Sequence, residues 1–193
     1  MGPGVSERFD VFNPGSAEAS VSVAPLLEQG SAEPFDLSVP PLGVVSLEVD
    51  AQARIPPGVG QAWVLTSSNG VPVVPERVIT SSAQGTAATI GAPATARHWV
   101  FAAGSTTHGQ DERLIVVNPG GGDAHVSVVA SGDGGAVRLP PVVVPAASRV
   151  SVDITALEAA DVVMLDVTAD VPVVAERALY GNGPSDALGI VGA

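Results

Sequence analysis

Val171-Pro172-Val173-Val174-Ala175-Glu176-Arg177 occurs twice in this chain. Its counterpart, Val71-Pro72-Val73-Val74-Pro75-Glu76-Arg77, lies 100 residues earlier and differs at one position, where Pro75 stands for Ala175. Each copy is a β-branched run closing on an adjacent acid and base, which reads as a buried or half-buried strand. Recurrence at a fixed spacing points to a duplicated unit, so the search for a period comes before any other reading.

Working outward, Glu7-Arg8-Phe9-Asp10-Val11-Phe12-Asn13-Pro14-Gly15 returns 105 residues later as Glu112-Arg113-Leu114-Ile115-Val116-Val117-Asn118-Pro119-Gly120. The same offset carries Ala19, Val21, Ser22 and Val23 onto Ala124, Val126, Ser127 and Val128. It also carries Val39-Pro40 onto Val144-Pro145, and Val45-Ser46 onto Val150-Ser151. At the twin motif the offset is 100, so the first copy has five extra residues. The sequence places them near residues 51–58, where Pro56-Pro57-Gly58 marks a surface loop.

In the second copy the pattern predicts strands at 99–102, 113–117 and 124–130. Further strands follow at 137–144, 148–154, 162–168 and 171–180. Asn118-Pro119-Gly120 reads as a turn in which proline fixes φ and glycine supplies a positive φ. Gly132-Asp133-Gly134-Gly135 reads as a hairpin turn, and Pro140-Pro141 as a bulge or edge in the returning strand. One helical turn is expected at 155–160. Short strands at this spacing, with few aromatics and many valines, predict an all-β chain. The expected architecture is a tandem of two related antiparallel β-sandwich (Ig-like) units, residues 1–96 and 97–193. Trp63 aligns with Val163 on this reading, and both Trp63 and Trp99 are expected in the core.

Composition excludes several function classes. All eight basic residues are arginine, against 20 acids, for a net charge of −12. That field repels nucleic acid and anionic membrane surfaces. With no cysteine, disulfides and thiolate chemistry are ruled out. No apolar stretch reaches membrane-spanning length, so no membrane insertion is expected. Met1-Gly2-Pro3-Gly4-Val5-Ser6 lacks the basic and apolar regions of a signal peptide, so the chain is expected to be cytoplasmic or part of a longer secreted protein.

Trp99-Val100-Phe101-Ala102-Ala103-Gly104-Ser105, followed by Asn118-Pro119 and then Pro172-Val173-Val174-Ala175-Glu176-Arg177 with Tyr180, resembles one repeat of a known family. The family is a tandem β-rich repeat of unknown function from secreted and cell-surface proteins of actinobacterial type. The resemblance covers residues 97–193 and, less fully, 7–96, where the Trp-x-Phe-Ala-x-Gly opening is missing. It implies an extracellular or envelope location, a structural or adhesive role, neighbouring repeats, and no catalytic residues to carry over.

Candidate chemistry is sparse. His98, His108 and His125 show no ligand-spaced pair, although His98, His108 and Asp111 could converge if residues 103–110 fold back. Ser105 lies near His108 and Asp111 without a nucleophile elbow. Asp123 and Asp133 sit in glycine-rich turns and read as turn caps rather than calcium ligands. No metal, cofactor or catalytic residue is expected. Trp99 and Tyr180 are the candidate binding aromatics, and protein or glycan at the cell surface the candidate partner. Glu76, Arg77, Glu176 and Arg177 are the structural charge positions. Strand alternation sends the acid and base of each pair to opposite faces, with Arg177 beside Val173, Ala175 and Leu179. Arg77 falls likewise beside Val73, Pro75 and Ile79. An arginine on such a face needs a carboxylate, carbonyls or a route to water. The expectation is a non-catalytic surface module. Its alternative is a carbohydrate-binding or glycan-processing domain, with a cleft lined by Trp99, Tyr180 and carboxylates.

Overall fold

The structure, a computed structural model, describes residues 5–82, 85–106, 111–155, 163–180 and 189–192. Every regular element among them is a strand. Residues 156–160, most of the expected helical turn, lie outside the described residues. The main division of the chain falls between Gly91 and Ala92, a few residues before the boundary expected at 96/97. It separates two compact units.

Unit one contains β1 (Val5–Phe12), β2 (Ala19–Leu27), β3 (Phe35–Val39), β4 (Val44–Glu48), β5 (Gln61–Ser67), β6 (Val74–Ser81) and β7 (Gly85–Thr89). They form two antiparallel sheets, ordered β4-β1-β6-β7 and β3-β2-β5. Alternation decides which side chains enter the sandwich. In β1, Glu7, Phe9 and Val11 are buried, whereas Arg8 and Asp10 between them reach solvent and pair at 3.0 Å. Phe9 and Val11 meet Val21, Val23, Phe35 and Val39 of the other sheet in one core. Trp63 closes this core at its side, edge-on to Phe9 with ring centroids 5.2 Å apart.

Unit two contains β8 (Ala96–Phe101), β9 (Asp111–Asn118), β10 (Ala124–Gly132), β11 (Gly135–Arg138), β12 (Val142–Val144), β13 (Ser148–Asp153), β14 (Met164–Tyr180) and β15 (Gly189–Gly192). The return strand expected at 137–144 is interrupted at Pro140-Pro141, and its pieces β11 and β12 both pair with β10. The strands expected at 162–168 and 171–180 are one strand of 17 residues, β14. Its first half pairs with β10 through Ala169 and with β8 through Thr168, β8 pairing again at Val173 opposite Ala96 after a register shift. Its second half pairs with β9 and β15 from Val174 onward. Pro172 falls where the strand changes partners, a position that asks no ladder hydrogen bond of it. The strands form one eight-stranded sheet that β14 runs through, and Leu114, Val116, Val126, Val128, Leu165 and Val167 are among the residues of its buried core.

The two units share their pairing registers. Arg77 lies opposite Phe9, and Arg177 opposite Leu114. Val45 lies opposite Val11, and Val150 opposite Val116. Pro25 lies opposite Trp63, and Ala130 opposite Leu165. The last pair corrects the alignment of Trp63, which corresponds to Leu165 rather than Val163. It also divides the five extra residues. The offset is 105 at β4, 102 at β5 and 100 at β6, so three precede β5 and two follow it. The latter two make room for a turn at Asn69-Gly70, with Gly70 at φ 75°, where β14 runs straight through.

The Asn-Pro-Gly turns also correspond, with one additional acceptor for the asparagine in unit two. Asn13 and Asn118 are wholly buried. Asn13 Nδ2 donates to the Ala17 and Val39 carbonyls at 2.7 and 3.0 Å, and its Oδ1 accepts from Gly15 N at 2.9 Å. Asn118 Nδ2 donates to Gly122, Val144 and Pro145 at 2.8, 3.0 and 3.2 Å, and its Oδ1 accepts from Gly120 N at 2.9 Å. The glycine is not there for a positive φ, since neither Gly15 nor Gly120 has one. A Cβ at these positions would stand 3.1 and 3.0 Å from the asparagine Oδ1, so close approach is the requirement. The left-handed residues are instead Leu42 (φ 55°) and Ala147 (φ 49°), whose amides donate to the Gly15 and Gly120 carbonyls.

Candidate functional site

The recurring arginine finds its carboxylate on the neighbouring strand, not on the glutamate beside it in sequence. In unit one, Arg77 Nε donates to Glu7 Oε1 at 2.6 Å. Glu7 is 1% exposed, and its other oxygen accepts from Gln61 Nε2 at 2.5 Å. Register explains the pairing. Ile79 is directly opposite Glu7, and Arg77 is two residues away on the same face. Both carboxylate oxygens are therefore occupied by donors, which is what a buried charge demands.

Unit two places the same residue types in the same register, with Leu179 opposite Glu112 and Arg177 two residues away. Here the pair does not close. Glu112 is fully buried and Arg177 nearly so, yet neither Glu112 oxygen has a hydrogen-bond partner among the described residues. Nor do Nε and Nη1 of Arg177. The guanidinium lies over the Phe101 ring instead, 5.7 Å from its centroid. Burial pushes the Glu112 carboxyl above its ordinary value, against weaker pulls from Arg177 and from the Ser105 backbone. Burial likewise draws the Arg177 guanidinium down, with Glu112 opposing. A Cβ at Gly104 would collide with the Glu112 carboxylate. The last residue of Trp99-x-Phe101-Ala102-x-Gly104 is thus a glycine because a buried acid occupies the space.

The acids adjacent to the arginines lie on the opposite faces. Glu76 is exposed and Glu176 half-buried, so of the four charge positions only Arg77 and Arg177 reach the interior. Glu7, Glu112 and Gln61 were missed as partners. A signal for the first two exists: Glu7-x-Phe9-x-Val11 and Glu112-x-Leu114-x-Val116 put an acid on the apolar side of an alternating strand in both copies.

The structure does not bring Trp99 and Tyr180 together. Trp99 lies opposite Val167 and packs against the core, its Nε1 donating to the Ala96 and Val173 carbonyls at 3.2 and 3.1 Å. Tyr180 lies opposite Asp111, at the far end of β14 on the β9 side. His98 pairs with Asp166 at 3.0 Å and Asp111 with Arg113 at 2.7 Å, so these two do not share a site. His108 lies outside the described residues. His125 pairs with Asp170 at 2.8 Å, and two hydrogen bonds from His125 hold that carboxyl below its usual range. Asp123 Oδ1 accepts from Ala146 N at 3.3 Å, and Asp133 stands in the β10–β11 turn. Among the described residues no three His, Asp or Glu side chains are grouped to hold a metal ion, and no helix is long and apolar enough to cross a membrane.

Comparison with known proteins adds no relative: no family model matches the chain, and neither does any curated protein or solved structure.

Proposed function

We propose that the chain is a non-catalytic structural or adhesion module built from two copies of one β-sandwich unit, acting in a secreted or cell-surface protein. The observation that carries this reading is the inward direction of the repeated charges. Arg77 is held by Glu7, whose second oxygen is held by Gln61, and Arg177 is enclosed with Glu112 and Phe101. Residues that recur in both units thus serve the interior, as do Asn13 and Asn118. The glycan-processing alternative draws no support from Trp99 and Tyr180, since Trp99 lies against the first half of β14 and Tyr180 ends its second half. The acidic surface fits a module that stays soluble and avoids polyanions.

The test reads two quantities on one variant. Arg177→Ala should lower the unfolding midpoint while leaving retention of the chain on isolated cell envelopes unchanged. A variant that melts like the parent yet is no longer retained overturns the reading and moves the function to the arginine.

A further inference from the structure

Among the described residues, β5 pairs with β2 on one side and with no strand on the other. The corresponding stretch of unit two, the first half of β14, is flanked on both sides, by β10 and by β8. The difference is visible in the core. Leu165 and Val167 are 0% exposed beneath β8, whereas their register counterparts Trp63 and Leu65 are only half-buried. An open edge normally carries a charge, a proline or a bulge that blocks pairing. The β5 sequence, Gln61-Ala62-Trp63-Val64-Leu65-Thr66-Ser67, has no charged residue and no proline.

We propose that the free edge of β5 is a strand-accepting site for an extended peptide of the β8 pattern, a basic residue followed by an inward tryptophan and an inward phenylalanine two positions on. Unit two supplies the geometry. Phe101 lies opposite Leu165, Val100 opposite Asp166, Trp99 opposite Val167 and His98 opposite Thr168. Carried to unit one, the phenylalanine meets Trp63, the tryptophan meets Leu65, and the backbone completes the open ladder. Arg97 makes such a segment cationic, which suits a chain of net charge −12. The inference rests on the two units being copies of one module, but not on where the protein acts.

The chain has no cysteine, so an introduced one reports a single contact. Val64→Cys and Thr66→Cys place a thiol on the outer face of β5 in the full chain. They are mixed, in a buffer containing oxidised glutathione as the oxidant, with a synthetic peptide of residues 95–105 carrying Val100→Cys or His98→Cys. The matched pairs, 64 with 100 and 66 with 98, should form disulfides roughly tenfold faster than the swapped pairs, and saturably with peptide. Equal rates for all four pairings, or rates strictly linear in peptide, overturn the proposal. So does a chain carrying both Val64→Cys and Val100→Cys that crosslinks to itself as a dimer without peptide, since the occupant would then be a second copy. Thermal melts of the cysteine variants establish that each is folded. Envelope retention is read separately, so loss of the module reading and loss of the strand site are distinguishable.

Discussion

Arg77 and Glu7 stand seventy residues apart in the chain and 2.6 Å apart in the fold. Their counterparts Arg177 and Glu112 occupy the same register without closing a salt bridge. One difference nearby accounts for the contrast in part. Gln61 holds the second oxygen of Glu7, whereas Glu112 has the bare backbone of Gly104 against it and Arg177 has an aromatic ring to lie on. A buried charge with both acceptors engaged is costly to break, because the partner left behind keeps its desolvation penalty.

Arg77→Ala should therefore destabilise unit one by about 3 kcal/mol, since it leaves Glu7 buried and short of a donor. Arg77→Lys should recover only part of that, because an ammonium cannot reproduce the planar fork. Arg177→Ala should cost about 1 kcal/mol less than Arg77→Ala, there being no closed pair to lose. Denaturant unfolding followed by Trp63 fluorescence for unit one and Trp99 fluorescence for unit two measures the difference. Equal losses in the two units would contradict it.

Asn118→Asp tests the turn lock. Nδ2 of Asn118 faces three carbonyl oxygens, and an aspartate would turn an oxygen toward them in a wholly buried place. The change is isosteric, yet it should destabilise by at least about 2 kcal/mol, as much as Asn118→Ala. The same ordering is expected at Asn13. An aspartate variant as stable as the parent in thermal melts at neutral pH would rule out the donor role.

Much of this fold was legible in the sequence because alternation and duplication reinforce one another. The 105-residue offset through Asn13/Asn118 and Val45/Val150 survives in the strand registers. What was not legible has identifiable causes. The strands expected at 162–168 and 171–180 leave only Ala169-Asp170 between them, and side-chain alternation alone does not show that β14 runs on through that dipeptide. The position of Trp63 was hidden because the extra residues of the first copy are split around β5, and no single gap reveals that. The arginine's partner was not legible because alternation fixes the face that Arg77 and Arg177 take but not which strand pairs beside them. It is the register that brings Glu7 and Glu112 to that face.

Leu42 and Ala147 supply a third test. Both hold left-handed backbone at corresponding positions, and Leu42 is 73% exposed, so little packing opposes its replacement. A left-handed non-glycine residue costs roughly 1–2 kcal/mol, and glycine adds back roughly 0.5–1 kcal/mol of unfolded-state entropy. Leu42→Gly and Ala147→Gly should thus each be stabilising by about 0.5 kcal/mol, seen as a rise of a few degrees in the melting midpoint of the unit concerned. A fall in either would show that the side chain contributes more than its strained backbone costs.

The last prediction concerns pH and Glu112. Its carboxyl is raised above the ordinary glutamate value chiefly by burial. A group raised in the folded state favours folding most at low pH, where it is protonated in both states. Its contribution is lost as pH rises through the folded value, because the folded chain must then bury a charge. Glu112→Gln keeps the shape and removes the titration. Other carboxylates titrate alike in parent and variant, so the comparison isolates this one. The melting midpoint of unit two in Glu112→Gln, minus that of the parent, should increase between about pH 4 and pH 7. A difference that stays flat across the range would mean that burial does not govern Glu112. A difference that decreases would mean that attraction to Arg177 outweighs desolvation after all, and that the unit-two pair closes in solution as its unit-one counterpart does.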